Sequence, residues 1–171
     1  MKEGNENFIK IALEDLESSR ILYENGKYPQ SIFLLQQSVE KTTKGITGIF
    51  KYSHKTLNIY KEMVNDDLKE EMKFLENTPV DNEELFLAII EVIKSLLSEI
   101  DSSKSNLKVG KITTKNFLLQ QILSSHATST RYPEGEYSPL TKYTKDYFLI
   151  KHYNKIYNFQ KECLDECLKF I

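Results

Sequence analysis

Residues 12–46, "ALEDLESSRILYENGKYPQSIFLLQQSVEKTTKGI", decide the fold. Apolar residues recur here at spacings of three and four, the mark of amphipathic helices rather than alternating strands. A first helix from about Asn7 to Asn25 places Phe8, Ile11, Ala12, Leu16, Ser19, Leu22 and Tyr23 on one face. Gly26 supplies the left-handed residue that ends it. Pro29 falls in the first turn of a second helix, where its missing N–H is tolerated, and Ile32, Leu35, Val39 and Ile46 form the buried row. So short a connection forces the two helices into an antiparallel hairpin. Asp15 and Ser19 interrupt the buried face, and an unpaired carboxylate there is costly, so a cation across the hairpin is expected.

The same periodicity continues along the chain. A third helix, capped by Ser53, is expected from about Lys55 to Glu76 through Leu57, Tyr60, Val64, Leu68, Met72 and Leu75. Asp81 with Glu84 three residues on reads as a capping box opening a fourth helix. Its Leu85, Ile89, Val92, Leu96 and Ile100 form one stripe, and Phe86, Ile90, Ile93 and Leu97 a neighbouring one. Such width places the helix centrally or against a second subunit. Residues 101–115 read as the loosest, polar connection, whatever its helical content, whose Lys104, Lys108, Lys111 and Lys115 read as a solvated strip before a basic strip for RNA. A fifth helix follows over about 115–129, packing Phe117, Leu118, Ile122 and Leu123. Ser138 then caps, and Pro139 starts, one long last helix through Tyr143, Tyr147, Ile150, Tyr153, Tyr157, Leu164 and Leu168. The expected fold is all-α, an up-and-down bundle of five to six helices, with residues 1–171 as a single domain.

The chain carries 23 basic and 25 acidic residues, for a net charge of −2, so no overall field favours nucleic acid or an anionic membrane. Any such contact must be local. No apolar run approaches the ~18 residues of a membrane span, and "MKEGNENF" lacks the apolar segment of a signal peptide, so a cytoplasmic location is expected. Cys163 and Cys167 lie four apart on a helix and read as reduced thiols.

The residues able to do chemistry are few. Arg131 is one of two arginines and opens the turn "RYPEGEYSPL" at 131–140. Its guanidinium either clamps the loop, through helix-end carbonyls or a carboxylate such as Asp15 or Glu40, or faces an anion with Tyr132 as a stacking ring. His126 precedes it by five residues, roughly 140° around a helix, which makes an Arg131–His126 catalyst awkward. Glu40 and Lys44, four apart, read as a surface pair, although with Gln36 and Gln37 they flank the apolar row and could line a groove. His54 follows the Ser53 cap, and His152 reads as solvated. No metal-ligand spacing, Gly-rich phosphate loop or nucleotidyltransferase signature occurs, so neither metal nor cofactor is expected.

The hairpin residues Gly26, Tyr28, Gln36, Gln37, Glu40, Lys41 and Lys44 resemble the "G-x-Y" turn and "QQ-x-x-EK-x-x-K" stretch of the HEPN family (higher eukaryotes and prokaryotes nucleotide-binding). "SHKTL" at 53–57 and "RYP" at 131–133 resemble two further family segments. The resemblance implies a helical bundle that dimerises. It also implies two functional types: ribonuclease toxins with R-x(4-6)-H, and members without that motif that bind nucleotides or partners, often beside a nucleotidyltransferase. Here Glu136, Tyr137 and Ser138 stand where that histidine would be. The resulting expectation is a homodimeric, non-catalytic binding module for nucleotide, RNA or a nucleotidyltransferase partner, in a toxin-antitoxin or defence setting. Arg131, Tyr132, Glu40, Lys44 and His54 are its expected ligand-binding residues. The alternatives are a metal-independent RNA endonuclease toxin with a divergent site, and a structural subunit that positions a nucleotidyltransferase's substrate.

Overall fold

The opening hairpin forms from helices α1 (Glu3–Glu24) and α2 (Tyr28–Thr47) in a computed structural model that describes residues 3–50, 58–60, 79–100 and 107–169. Gly26 takes φ +71° between them. With it, the Lys27 amide reaches back to the Leu22 carbonyl at 2.9 Å and the Gly26 amide to the Tyr23 carbonyl at 3.0 Å. These two bonds satisfy carbonyls that a helix end leaves open. Farther along, a Cβ on Gly45 would meet Ile9 Cδ1 at 2.5 Å, so the small residue is what lets the two helices approach.

The buried strip of α1 is Ile9, Ala12, Leu16 and Ser19, all without solvent exposure. Ile11, expected inside, is 48% exposed. It lies one residue off the strip, which is about 100° around the helix. Ser19 is satisfied internally: its hydroxyl donates to the Ser31 carbonyl at 2.9 Å and lies 2.7 Å from the Tyr153 hydroxyl. Asp15 pairs with Lys41 across the hairpin.

Helix α3 spans Glu83–Ile100. Its first turn is closed by Asn82, whose Oδ1 accepts the Leu85 amide at 2.9 Å, while Asp81 accepts from the Asn82 side chain at 3.1 Å. The cap is therefore Asn82, one residue after the expected Asp81. Phe86 and Ile90 are fully buried and Leu87 is 37% exposed. Helix α4 runs Leu107–Leu123, so the polar connection is helical from Leu107. Lysine is a good helix former, and the turn buries Ile112. Lys115 is 7% exposed and bonded to Glu162 at 2.6 Å rather than part of a solvated strip.

The expected long last helix is three pieces: α6 (Pro139–Lys142), α7 (Phe148–Lys151) and α8 (Tyr153–Leu168), preceded by the single turn α5 (His126–Ser129). Ser138 does cap α6, accepting the Leu140 amide at 3.3 Å. The chain leaves helical geometry at Tyr143, with φ −87° and ψ 66°. That departure carries the Tyr143 hydroxyl to His126 Nδ1 at 2.6 Å and to the Ser129 hydroxyl at 2.7 Å.

One buried cluster joins these helices, from Ile9 and Leu16 through Ile32, Leu35, Phe86 and Leu119 to Tyr153 and Leu164. A polar layer crosses it. Asn116 Nδ2 donates to the Val39 carbonyl at 3.2 Å and to the Tyr60 hydroxyl at 3.1 Å, and Gln160 Nε2 to the hydroxyls of Ser38 at 3.0 Å and Thr42 at 2.8 Å. These bonds tie α2, α4 and α8 in one register. Cys163 and Cys167 are free thiols, each pushed up to about 12 chiefly by burial. The fold is all-α, with no strand among the described residues. No helix among them is long and apolar enough to cross a membrane. Ser53, His54 and most of the expected third helix, including Leu57, Val64, Leu68, Met72 and Leu75, lie outside the described residues. So do Lys104 and the side chains of Lys108, Lys111, Val92, Ile93, Leu96, Leu97 and Ile100.

Candidate functional site

Arg131 stands just beyond α5, where the Thr130 hydroxyl donates to the His126 carbonyl at 2.7 Å and the Arg131 amide to the Thr128 carbonyl at 2.9 Å. The side chain is exposed yet held. Its Nε donates to the Ala127 carbonyl at 3.0 Å, and its guanidinium carbon lies 4.7 Å from the Phe33 ring centroid and 5.1 Å from that of Tyr132. A guanidinium fixed at Nε and braced by two ring faces has little rotamer freedom left to lose on binding. Its terminal Nη groups have no hydrogen-bond partner among the described residues. Asp15 is committed to Lys41, and Glu40 to Lys44. Among the described residues, the clamp expected for Arg131 therefore exists at the Ala127 carbonyl alone, without a carboxylate.

Phe33 was not legible as part of a site, because it sits in the apolar run "IFLL". Its side chain marks the side of α2 that Arg131 covers. Glu40 is seven residues farther on, two turns or about 10 Å along the same side. Glu40 and Lys44 make their pair at 2.8 Å, but at 4% and 9% exposure they are not the surface pair the spacing suggested. Gln36 and Gln37 donate to the same Glu40 carboxylate at 3.3 and 3.4 Å. Burying an ion pair costs desolvation, and the added amide donors offset part of it. The Lys44 ammonium is thus engaged internally, while Arg131 and the 57% exposed Tyr132 face outward on the same side of the hairpin.

His126 is closed off from solvent, with both ring nitrogens bonded to groups other than Arg131. It is 1% exposed, with Nδ1 2.6 Å from the Tyr143 hydroxyl and Nε2 3.3 Å from the Val80 carbonyl. A carbonyl only accepts, so Nε2 bears the proton and Nδ1 accepts from Tyr143. Burial pushes the imidazole down to about 4, with the Lys142 charge adding to the effect and the Val80 carbonyl and Asp81 opposing it. The ring is neutral and structural. His152 is half-buried rather than solvated: it stacks on Phe86 at 5.1 Å and bonds Glu83 at 2.8 Å. That bond, with Lys151 nearby, draws the Glu83 carboxyl below its ordinary value. Among the described residues, no group of three His, Cys, Asp or Glu converges as a metal site.

Fold and site together define an all-α, hairpin-based bundle that presents a braced cationic edge at the end of a short helical turn. The chain belongs to the HEPN domain family, whose model matches residues 5–168. It is 28% identical over 146 residues to a protein of Methanocaldococcus jannaschii named "Putative toxin MJ1304", an alignment covering 81% of this chain and 72% of that protein. No solved structure matches the chain significantly.

Proposed function

We propose that this HEPN-type protein is a phosphate-recognising binding module, with Arg131 as the anion contact and Tyr132 as the ring on which a nucleobase stacks. The observation that carries this reading is the exposed guanidinium, fixed at the Ala127 carbonyl and against Phe33 and Tyr132, with its terminal nitrogens turned to no carboxylate among the described residues. Two parallel N–H groups on a planar cation match phosphate oxygens. The ligand class is a nucleotide or single-stranded RNA. The relative named as a toxin supports a toxin-antitoxin setting for this chain. A cytoplasmic homodimer that brings two Arg131 side chains to one recess, with a nucleotidyltransferase as its partner protein, completes the proposal. Tyr132 and Leu140, 57% and 72% exposed on either side of the Arg131 turn, support a contact surface there.

Binding of a fluorescein-labelled single-stranded RNA and of ATP, measured by anisotropy and calorimetry, tests the reading. A charge-assisted contact is worth about 1.5–3 kcal/mol, so Arg131→Ala should weaken binding roughly 10- to 100-fold, and Arg131→Lys should restore it only in part. Equal affinities for wild type and Arg131→Ala would overturn the assignment. The relative's name also favours a second reading, an RNA endonuclease with a divergent site. Metal-free cleavage of structured RNA that disappears in Arg131→Ala would establish it.

A further inference from the structure

Lys41, Lys44 and Lys115 each meet a carboxylate. Lys142, closing α6, pairs with none among the described residues and rests against three aromatic rings instead. Its Nζ lies 5.5 Å from the Tyr137 centroid, 5.6 Å from Tyr143 and 5.5 Å from Tyr147. Ring faces attract a positive charge, so this packing favours the ammonium form and fixes its place. Burial works against the charge, and the Asp81 carboxylate works for it. The rings hold the ammonium without using up its three N–H donors, and the half-exposed Lys142 keeps them for an acceptor from solvent.

The three rings are tied to the turn that carries Arg131. The Tyr137 hydroxyl donates to the Ser129 carbonyl, and the Tyr143 hydroxyl contacts the Ser129 hydroxyl and His126 Nδ1. Ser129 and His126 are the two ends of α5, and Arg131 follows Ser129 by two residues. Helices α5 and α6 both pack on α2, whose Phe33 lies against the Arg131 guanidinium. The segment 131–142 thus begins and ends on a cation that has no carboxylate partner among the described residues and is braced by aromatic rings. Two carboxylates, Glu134 and Glu136, lie between them and are exposed. The Glu134 amide donates to the Tyr137 carbonyl at 3.1 Å and the Tyr137 amide to the Glu134 carbonyl at 2.9 Å, which closes residues 134–137 as a separate tip around Gly135. The residues that would repel an anion stand at the tip, and the two cations flank its base.

We infer that Lys142 is a second phosphate contact, so that the ligand of this edge is a single-stranded RNA carrying at least two phosphates rather than a nucleoside monophosphate. The inference rests on the reading of Arg131 as the first contact. The planar guanidinium takes one phosphate through paired N–H groups, and the Lys142 ammonium, a point charge, takes another on the same strand. A nucleoside monophosphate has one phosphate to give and engages Arg131 and the Tyr132 ring alone. The difference is measurable in salt. Each phosphate neutralised by a cation releases condensed counterions, which adds about 0.7 to the slope of log K against log salt for a single strand.

Affinities of the full chain for fluorescein-labelled oligoadenylate RNA and for AMP, measured across a series of KCl concentrations, test the inference. Lys142→Gln should weaken oligoadenylate binding several-fold, reduce the salt slope by about 0.7 and leave the AMP affinity unchanged. Lys142→Arg should keep the wild-type slope. Arg131→Ala should weaken both ligands. A lysine that merely props the turn would lower both affinities together in Lys142→Gln, and that pattern overturns the inference. Unchanged oligoadenylate affinity and slope in Lys142→Gln overturn it equally. Should Lys142→Gln fold poorly, the wild-type slope carries the test: about −1.4 or steeper supports two contacts, and about −0.7 contradicts them. Binding of both ligands unaltered by Arg131→Ala would remove the reading of Arg131 and this inference with it. Binding weakened by Arg131→Ala but not by Lys142→Gln would remove this inference alone.

Discussion

His126 and Arg131 are five residues apart and occupy opposite environments. The histidine is 1% exposed with both ring nitrogens engaged, whereas the arginine is exposed with only Nε bonded among the described residues. One short turn thus carries a closed polar pocket at its start and an open cationic edge at its end. The closed pocket fixes the turn, and the open edge has groups left over for a ligand. Chemical reactivity of residue type is therefore a poor guide here: the imidazole, the usual proton carrier, is the structural member of the pair.

The contrast is broken most sharply by emptying the pocket. His126→Ala removes a buried ring, takes the acceptor Nδ1 from the Tyr143 hydroxyl and leaves the Val80 carbonyl without its side-chain donor, so unfolding in urea should show a loss of about 3 kcal/mol or more. A loss under about 1 kcal/mol would mean that the pocket is not structural. Acid offers a milder route. The folded imidazole titrates near about 4 and an unfolded one near 6.5, so the unfolded chain binds the extra proton first. This contribution is intact above roughly pH 6.5, declines as pH falls, and is exhausted below roughly pH 4, with a total of about 3 kcal/mol. Denaturant midpoints from pH 7 to 4 should accordingly fall more steeply in wild type than in His126→Phe; parallel curves would refute a buried neutral histidine. Tyr143→Phe, which leaves His126 Nδ1 without its donor, should cost about 1–3 kcal/mol in the same assay. Arg131→Ala should change stability least, by less than about 1 kcal/mol, because the residue lies at the surface. A larger loss would place Arg131 with the structural group and leave little of the contrast.

The hairpin was legible because its signals are local: Gly26 at the turn, Pro29 just inside α2, and a 3.6-residue apolar period between them. The exact face of α1 was less so, since Ile9 and Ile11 are equivalent in a hydrophobicity pattern and only packing against Gly45 selects Ile9. The broken last helix carried no warning, as no Gly or Pro follows Pro139 in the sequence. The break comes from Tyr143 turning its hydroxyl into the His126 pocket, a long-range contact no local rule contains. The buried state of Glu40 and Lys44 was hidden for the same reason: their spacing reads as surface until the neighbouring elements are in place. Arg131 could be singled out by its rarity and its turn, but Phe33, which braces it, could not.

With only two arginines in the chain, their side-chain 15Nε and Nη resonances form a two-residue spectrum, and Arg20, bonded to Glu24 and Asn154, is a built-in control. Titrating a short single-stranded RNA into the labelled protein should shift the Arg131 signals saturably and leave those of Arg20 in place. Unmoved Arg131 signals, or shifts confined to Arg20, would contradict the assignment of the Arg131 edge as the phosphate contact.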